Sequence, residues 1–380
     1  MVSDLIDSLA KLRDPAACPL LVVKFGSALL VGSDGQPRQK RLHSIVGEIA
    51  ARRQAGQKIV IVSSGAIALG AAKLGLAERG RRSLADAQAA ACVGQIALAR
   101  AWTEALAEHG LTAAQLLLTL HDLEDRRRYL NAAATLERLL EAGTVPVINE
   151  NDAVATEEIR FGDNDRLAAR VGQAARASAV LLLSDVDGLF DRHPSAENAQ
   201  RIPVIDRIDD SIRAMASADS ASGLGSGGMV SKLQAAEIAT RAGIALAIGN
   251  GTVEEPLAQV LERNVGTLFV PHGEAGARKS WLSGRIAALG TLRVDRGCGE
   301  ALRGGASLLA AGIVGVSGTF SRGDLVKICA LSGEPLAQGL SEYSMAEIKA
   351  IAGKRDNEQA DVLGYAPRAA VVHRDHMVML

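Results

Sequence analysis

Short aliphatic runs alternate along the chain with longer stretches of helical period, and this alternation restricts the fold more than any other feature. It is typical of βα units, whose helices return the chain to one edge of a parallel sheet. The predicted strands are Leu20–Val23, Lys58–Val62, Gln115–Thr119, Val145–Ile148, Ala179–Leu183 and Ile244–Ile248. The predicted helices are His43–Ala55, Ser83–His109, Arg126–Ala142, Leu167–Ala174 and Met229–Ala242. The pattern predicts the α/β class, with a mainly parallel sheet sandwiched by helices.

The pattern of the sequence changes near residues 271–278, and the short strand-like pieces beyond Trp281 are rich in glycine. The strand-like pieces there are short, and a helix is predicted among them: Gly304–Leu309, Gly312–Val316, Gly323–Ile328 and the helix Tyr343–Ala352. A chain of 380 residues fits a larger and a smaller domain. We therefore predict an extension over 1–18, a large domain over 19–275 and a small β-rich domain over 283–370.

The predicted extension has aliphatic residues at helical spacing and acidic residues near its start. The aliphatic residues are Leu5, Ile6, Leu9 and Leu12. The segment lacks the apolar core of a signal peptide, so we do not expect one. The helical spacing instead predicts a short helix that docks on the large domain. No apolar run reaches the roughly 18 residues that a membrane-spanning helix needs, so a soluble protein without membrane contact is predicted.

Charge and cysteine usage argue against several classes of protein. The formal net charge is −1, and residues 281–380 hold 11 Arg and Lys against 10 Asp and Glu. An RNA-binding surface usually shows a basic excess, so RNA is not an expected partner. The four cysteines are far apart and form no CxxC pair. Free thiols in a reducing cytoplasm are therefore expected rather than a disulfide framework or a zinc site.

Polar and glycine-rich loops follow the predicted strands, where ligands of open α/β sheets bind. Lys24, beside Gly26, suits a phosphate group, although a lysine at a strand end is often only a solvated charge. Ser64 precedes a helical segment whose N-terminus would attract an anion, or it is an ordinary N-cap. Ser184 and Asp185 end the fifth predicted strand and suit a nucleotide, or they simply begin a loop.

Two further loops, Asn149–Asp152 and Gly162–Asp165, are rich in carboxylates and carboxamides. These groups suit an α-amino group, an α-carboxylate or a metal ion, whereas the alternative is ordinary turn chemistry. No side chain is assigned as a direct metal ligand.

A glycine-rich segment covers residues 222–232 and contains a formal G-x-G-x-x-G match. No strand is predicted before it, so it does not fit a dinucleotide-binding turn, and no Gly-Lys-Ser/Thr ends it as in a P-loop. We interpret it as a flap that delivers Lys232 to phosphates; a flexible linker is the alternative.

Six phrases in this order resemble the amino-acid kinase family: VVKFG, IVSSGAIALG, VPVINENDAVA, FGDND, LLLSDVDGLF and SGLGSGGMVSKLQAA. They span nearly all of residues 20–270. The stretch VDRGCGEALRGGASLLAAGIVGVSGTFSRGDLVKI resembles a PUA domain, which glutamate-phosphorylating members of the family often carry.

The resemblance implies a kinase that uses ATP and Mg²⁺ to phosphorylate the side-chain carboxylate of L-glutamate, the first step of proline biosynthesis. It implies catalytic roles for Lys24, Lys232 and Asp165. The implied glutamate contacts are Ser64, Asp152 and Asn164, with Asn149 as an addition. The implied ATP contacts are Lys24, Ser184, Asp185, Ser226, Gly227, Gly228, Met229, Val230, Ser231 and Lys232.

The resemblance also implies proline as a feedback inhibitor and glutamyl-phosphate reductase as a partner. A homo-oligomer of open size is expected. Three alternatives remain: a kinase of the same fold that acts on another acid or on a phosphate acceptor, an RNA-binding protein, and a catalytically inactive amino-acid sensor.

Overall fold

The structure is a computed structural model that describes residues 5–80, 82–154, 163–220, 228–271 and 288–380. The chain divides into two compact units. One comprises residues 1–124 and 132–273, and the other comprises residues 125–131 and 274–380. The predicted domain limits near residues 275 and 283 fall outside the described residues and stay predictions.

Within the described residues, the larger unit contains an eight-stranded sheet in the order β3-β4-β2-β1-β5-β7-β8-β6. Its strands are β1 (Leu20–Phe25), β2 (Lys58–Ser63), β3 (Ala113–Leu118), β4 (Val145–Glu150), β5 (Ala179–Ser184), β6 (Val204–Ile205), β7 (Ala245–Asn250) and β8 (Thr267–Phe269). Neighbouring strands from β3 to β7 pair in parallel, whereas β8 is antiparallel to β7. The predicted α/β class with a mainly parallel sheet is confirmed.

The helices of the first 271 residues are α1 (Ser27–Leu30), α2 (Gln39–Gln54), α3 (Ala66–Leu74), α4 (Leu84–Ala107), α5 (Leu120–Glu124), α6 (Arg126–Glu141), α7 (Asp163–Ala175), α8 (Asp210–Ser220), α9 (Met229–Arg241) and α10 (Pro256–Leu261). None of the helices that the structure describes is long and apolar enough to cross a membrane.

Burial of the middle strands explains why aliphatic runs in the sequence are good predictors of these strands. Every residue of β1 is buried, including Lys24, and β5 is buried up to Leu183. Strands that are covered on both faces read as continuous aliphatic runs. The short strands β6 and β8 had no prediction, because two or three residues show no period.

The N-terminal segment docks as predicted but not as a regular α-helix. Leu9–Arg13 form a 3₁₀ helix, and Ile6, Leu9 and Leu12 are buried. The prediction for Leu5 was wrong, because Leu5 precedes the helix and is 52% exposed. The buried Gln57 carboxamide donates hydrogen bonds of 2.7 Å to the carbonyl oxygens of Leu12 and Cys18 and ties this segment to β2.

The smaller unit contains a five-stranded sheet in the order β10-β9-β11-β12-β13. Its strands are β9 (Gly290–Val294), β10 (Ile313–Gly318), β11 (Leu325–Ala330), β12 (Pro335–Leu340) and β13 (Met377–Met379). Its helices are α11 (Arg296–Arg303), α12 (Met345–Ile351) and α13 (Asp356–Leu363). Strands β9 and β11 pair in parallel, and the other neighbours are antiparallel.

Two predictions for the smaller unit need correction. Gly304–Leu309 is not a strand, because it follows α11 as a loop in which only Leu308 forms a bridge, to Val372. Helix α12 begins at Met345 rather than at Tyr343. The Ser344 hydroxyl accepts from the Glu347 N–H, and the Glu347 carboxylate accepts from the Ser344 N–H, which is a capping box.

Helices α3 and α4 approach each other at two glycines. A Cβ atom on Gly70 would lie 1.8 Å from the carbonyl oxygen of Ala90, and one on Gly94 would lie 1.8 Å from that of Ala66. Backbone therefore packs against backbone, and no side chain fits between the helices. This contact sets the position of α4, which carries side chains to the site described below.

We expect Gly94→Ala to lower the free energy of unfolding by about 3 kcal/mol, because the methyl group would force the two helices apart. Gly47→Ala is the matched control, since a Cβ atom there meets nothing within 4 Å. Alanine favours a helix interior over glycine, so the control should raise this free energy by about 0.5–1 kcal/mol. Urea unfolding measures both; equal effects would contradict the packing argument.

Candidate active site

Two lysines from distant parts of the chain contact one carboxylate. Lys24 of β1 places its Nζ 2.5 Å from Asp165 Oδ1, and Lys232 of α9 places its Nζ 3.3 Å from Asp165 Oδ2. Asp165 lies in the first turn of α7 and is 1% exposed, while each lysine is 7% exposed. The fold therefore holds two positive charges on either side of one buried negative charge.

The ionisation of Asp165 follows from these neighbours. Burial by itself would raise the pKa of the carboxyl group, but the charges of Lys24 and Lys232 outweigh it and hold the pKa below its ordinary value. The carboxylate is thus ionised at neutral pH. The formal charges of two lysines and one aspartate sum to one positive charge, which suits a phosphate group.

The beginning of α9 completes this cluster. The Ser231 hydroxyl donates to Asp165 Oδ2 over 3.0 Å and also contacts the carbonyl oxygen of Gly228 over 3.2 Å. Met229 is buried, whereas Val230 is 40% exposed. The structure therefore brings Ser231 and Lys232 to the cluster.

The remaining predicted contacts of the glycine-rich segment, Ser226 and Gly227, lie outside the described residues. Phe161 and Gly162, the first two residues of the phrase FGDND, also lie outside the described residues, and so does the side chain of Asp163.

A second polar group, which contains Asn164 and Ser64, lies beside the carboxylate–lysine cluster, because Asn164 immediately precedes Asp165 in the chain. The Asn164 carboxamide donates to the Ser64 hydroxyl over 2.9 Å. Ser64 follows β2, and its N–H donates to the carbonyl oxygen of Phe25 over 3.2 Å. Two adjacent residues of α7 therefore point to two different polar groups, one beside β2 and one containing the lysines.

Asn149 lies near the end of β4, the strand next to β2. It is 3% exposed, and its Nδ2 donates to Gln95 Oε1 over 2.7 Å. Asp152, in the turn after β4, is 8% exposed. Both residues were predicted as substrate contacts, and the structure places both at the carboxyl edge of the sheet.

Two buried oxygen atoms of this group have no hydrogen-bond partner among the residues that the structure describes. They are Asn149 Oδ1 and Asn164 Oδ1. Buried polar atoms in proteins nearly always have a partner, so each of these acceptors has room for a donor that the described residues do not supply. The carboxamide pair therefore suits a ligand that carries an N–H group.

Ser184 and Asp185 lie at the end of β5, on the other side of β1. The Ser184 hydroxyl donates to Asp185 Oδ1 over 2.9 Å, and the Ser184 carbonyl oxygen accepts from the Gly251 N–H over 2.6 Å. The preceding carbonyl oxygen, of Leu183, accepts from the Gly26 N–H over 3.3 Å. This polar group thus adjoins the loop that follows Lys24.

Sequence reasoning missed the contribution of helix α4. Besides Gln95, Trp102 lies on this helix, and its Nε1 donates to the Ser63 hydroxyl over 2.9 Å. Both residues occur in an Ala- and Leu-rich stretch that reads as core. The only signal was a glutamine two turns before a tryptophan on the same helical face, which is too common to indicate a site.

Comparison with known proteins identifies the family. The model of the amino acid kinase family matches residues 19–250, and the model of the PUA domain matches residues 290–363. A glutamate 5-kinase of Novosphingobium aromaticivorans is 61% identical over 99% of this chain and 100% of its own length. The glutamate 5-kinase of Sphingopyxis alaskensis is 59% identical over 96% of this chain and 99% of its own. The chain belongs to the amino acid kinase family. The resemblance inferred from the six phrases and the tail is confirmed.

The family match contains the whole carboxylate–lysine cluster, and the PUA match contains β9 to β12 of the smaller unit. A further relative, the glutamate 5-kinase of Zymomonas mobilis, is 55% identical over 96% of this chain and 92% of its own length. These relatives therefore share both parts of the chain, the kinase domain and the tail.

Replacing Asp165 tests the charge cluster. We expect Asp165→Asn to lower the free energy of unfolding at pH 7 by about 3 kcal/mol, because two buried ammonium groups lose their partner. The folded pKa of Asp165 lies below its ordinary value of 3.8. The stabilisation is therefore fully present above that pH, and it is lost as the pH falls further, through the folded pKa.

The measurement is urea unfolding of both proteins between pH 7 and pH 3. Asp7→Asn is the control, because Asp7 forms a comparable pair with Lys11 (2.9 Å) on the surface and should contribute little. A difference between wild type and Asp165→Asn that shrinks already between pH 7 and pH 5 would contradict the lowered pKa.

Proposed function

We propose that the protein transfers the γ-phosphoryl group of ATP to the side-chain carboxylate of L-glutamate and so forms L-glutamyl 5-phosphate, the first step of proline biosynthesis. The observation that carries this proposal is the adjacency of Asn164 and Asp165. Asn164 contacts a polar group in which two buried acceptor oxygens have no hydrogen-bond partner among the described residues, and Asp165 contacts a pair of buried lysines. An amino acid and a phosphate group are the ligands that suit these two groups.

The acceptor needs no general base. A glutamate side chain has a reference pKa near 4.3, so it is an anion at neutral pH. Its oxygen forms the new bond to the γ-phosphorus while the bond to the ADP oxygen breaks, and no proton moves. The barrier comes from bringing an anion to an anionic phosphate, which positive charge and positioning lower. Lys24 and Lys232 supply that charge, and Asp165 holds their ammonium groups in place.

The amino-acid side of the site is assigned to Ser64, Asn149, Asp152 and Asn164. At neutral pH the carboxylates of glutamate only accept hydrogen bonds, and its α-ammonium group is its only donor. The buried oxygens of Asn149 and Asn164 therefore suit the ammonium group. The names of the similar proteins support glutamate as the amino acid.

The nucleotide side is assigned to Ser184 and Asp185 at the end of β5 and to Gly228–Lys232 at the beginning of α9. The N-terminus of α9 offers N–H groups to the phosphates, and Lys232 lies in its first turns. Ser226 and Gly227 belong to the same proposal, although they lie outside the described residues.

Mg²⁺ is proposed to arrive with ATP. Among the described residues no group of three or more His, Cys, Asp or Glu could hold a metal ion, and Asp165 is engaged by two lysines. In this proposal the ion is bound mainly by phosphate oxygens and water, as Mg²⁺ often is. When bound, it would neutralise charge on the β- and γ-phosphates.

Several other parts of the proposal rest on the sequence and the family alone. They are a homo-oligomeric state, inhibition by proline, a cytoplasmic location, a large domain over 19–275 and a PUA domain over 283–370. Acyl phosphates hydrolyse readily, so a reductase that consumes the product, such as glutamyl-phosphate reductase, is the proposed partner.

The experiment that tests the function traps the acyl phosphate with hydroxylamine in the presence of ATP and Mg²⁺. L-glutamate, L-aspartate and N-acetyl-L-glutamate are compared. Hydroxamate from L-glutamate alone is the expected result. Hydroxamate from another acid would change the substrate but keep the reaction, and no hydroxamate at all would overturn the proposal.

The same assay tests the two lysines. We expect Lys24→Ala and Lys232→Ala each to lower kcat by at least about a hundredfold, because each removes a charge that stabilises the transition state. The KM for glutamate should change little. Lys58→Ala is the control, since Lys58 begins β2 at the opposite end of the strands and is exposed. Turnover near that of wild type in either lysine variant would remove that lysine from the mechanism.

A further inference from the structure

Helix α4 sends two polar side chains to the ends of two neighbouring strands. Gln95 accepts from the Asn149 carboxamide on β4, and Trp102 donates to the Ser63 hydroxyl on β2. The two residues are seven positions apart, so they lie on one face of the helix. Together with Ser63 and Asn149, they line one small cavity beside the sheet. The cavity is therefore the place where α4 contacts the substrate side of the site.

The Asn149 carboxamide is oriented with its Nδ2 toward Gln95 Oε1. A carboxamide is planar, with donor hydrogens on one end and an acceptor oxygen on the other. Because Nδ2 is held by Gln95 Oε1 at 2.7 Å, Oδ1 points the other way. That oxygen is buried and has no partner among the described residues. Without Gln95, nothing among the described contacts prevents a half-turn that would exchange the oxygen and the nitrogen.

We propose that Gln95 is a positioning residue that makes the site select an acceptor with an amino group. It orients Asn149 so that the carboxamide oxygen accepts from the α-ammonium group of the substrate. This inference rests on the proposed function, in which L-glutamate is the acceptor. A turned carboxamide would instead direct its N–H groups at the ammonium group, and two donors repel. The loss therefore falls on binding of the amino group and not on phosphoryl transfer.

The test compares an acceptor with the amino group and a competitor without it. In Gln95→Met the side chain keeps its length but loses its acceptor. We expect the KM for L-glutamate to rise about tenfold to a hundredfold, which is the usual effect of losing a hydrogen bond to a charged group. The kcat should stay within about threefold of wild type. The inhibition constant of glutarate, which is glutamate without its amino group, should not change.

Two variants show whether the effect comes from the hydrogen bond. Gln95→Glu keeps an acceptor at the same position and should restore most of the affinity. Gln115→Met makes the same chemical change on another wall of the same cavity and should bind L-glutamate as wild type does. Gln95→Ala replaces Gln95→Met if the latter does not fold, because α4 is already rich in alanine.

A double-mutant cycle with Asn149→Ala separates positioning from packing. If Gln95 acts through Asn149, Gln95→Met should add almost nothing to the KM of Asn149→Ala. Additive effects would overturn the inference, as would a glutarate inhibition constant that rises as much as the KM for L-glutamate.

The inference and the proposed function fail in different ways. If the wild type forms no hydroxamate from L-glutamate, the proposed function fails and the inference fails with it. If the wild type forms it and Gln95→Met behaves like wild type, only the inference is wrong.

Discussion

The contact of Lys24 and Lys232 with Asp165 is the interaction on which the proposed mechanism depends. An ammonium group buried alone would be expensive, and so would a carboxylate, but each compensates the others. The three residues come from β1, α7 and α9, so the contact exists only when these elements are packed. It joins the centre of the sheet to both helices and leaves a net positive charge where a phosphate group is proposed to bind.

The first turn of α7 links that charge to the other half of the site. Asn164 contacts Ser64, and the next residue contacts the lysines. Because the helix backbone fixes the spacing of adjacent residues, a single turn would set the position of the amino acid relative to the phosphate in the proposed function. Proximity of this kind is what a reaction without a general base requires.

Helix α4 supports the same site from behind. It approaches α3 so closely at Gly70 and Gly94 that no side chain fits between the two backbones. Gln95 then contacts the Asn149 carboxamide from a fixed position. The helix that makes this backbone contact therefore also carries the residue that we propose orients Asn149.

The sequence indicated most of the secondary structure and most of the proposed site. The six predicted strands exist. Five of them are mostly buried and consist of aliphatic runs, whereas β3 is only partly buried. The predictions failed where local pattern and tertiary environment disagree. Lys24 lies near the end of β1, as predicted, but it is buried and not the solvated charge that the local pattern favoured, because Asp165 compensates its charge. Leu5 was predicted on a buried face, and Gly304–Leu309 as a strand; neither segment has the packing partners that its pattern suggested.

By itself, the sequence determined the α/β class, the family and the residue types of the site, since these follow from period, order and chemistry along the chain. Only the tertiary structure decided that Asp165 lies between both lysines, that Asn164 turns toward Ser64, and that Gln95 holds Asn149. The physical reason is that burial and hydrogen-bond orientation depend on neighbours that are distant in the chain. A linear sequence contains those neighbours but not their distances.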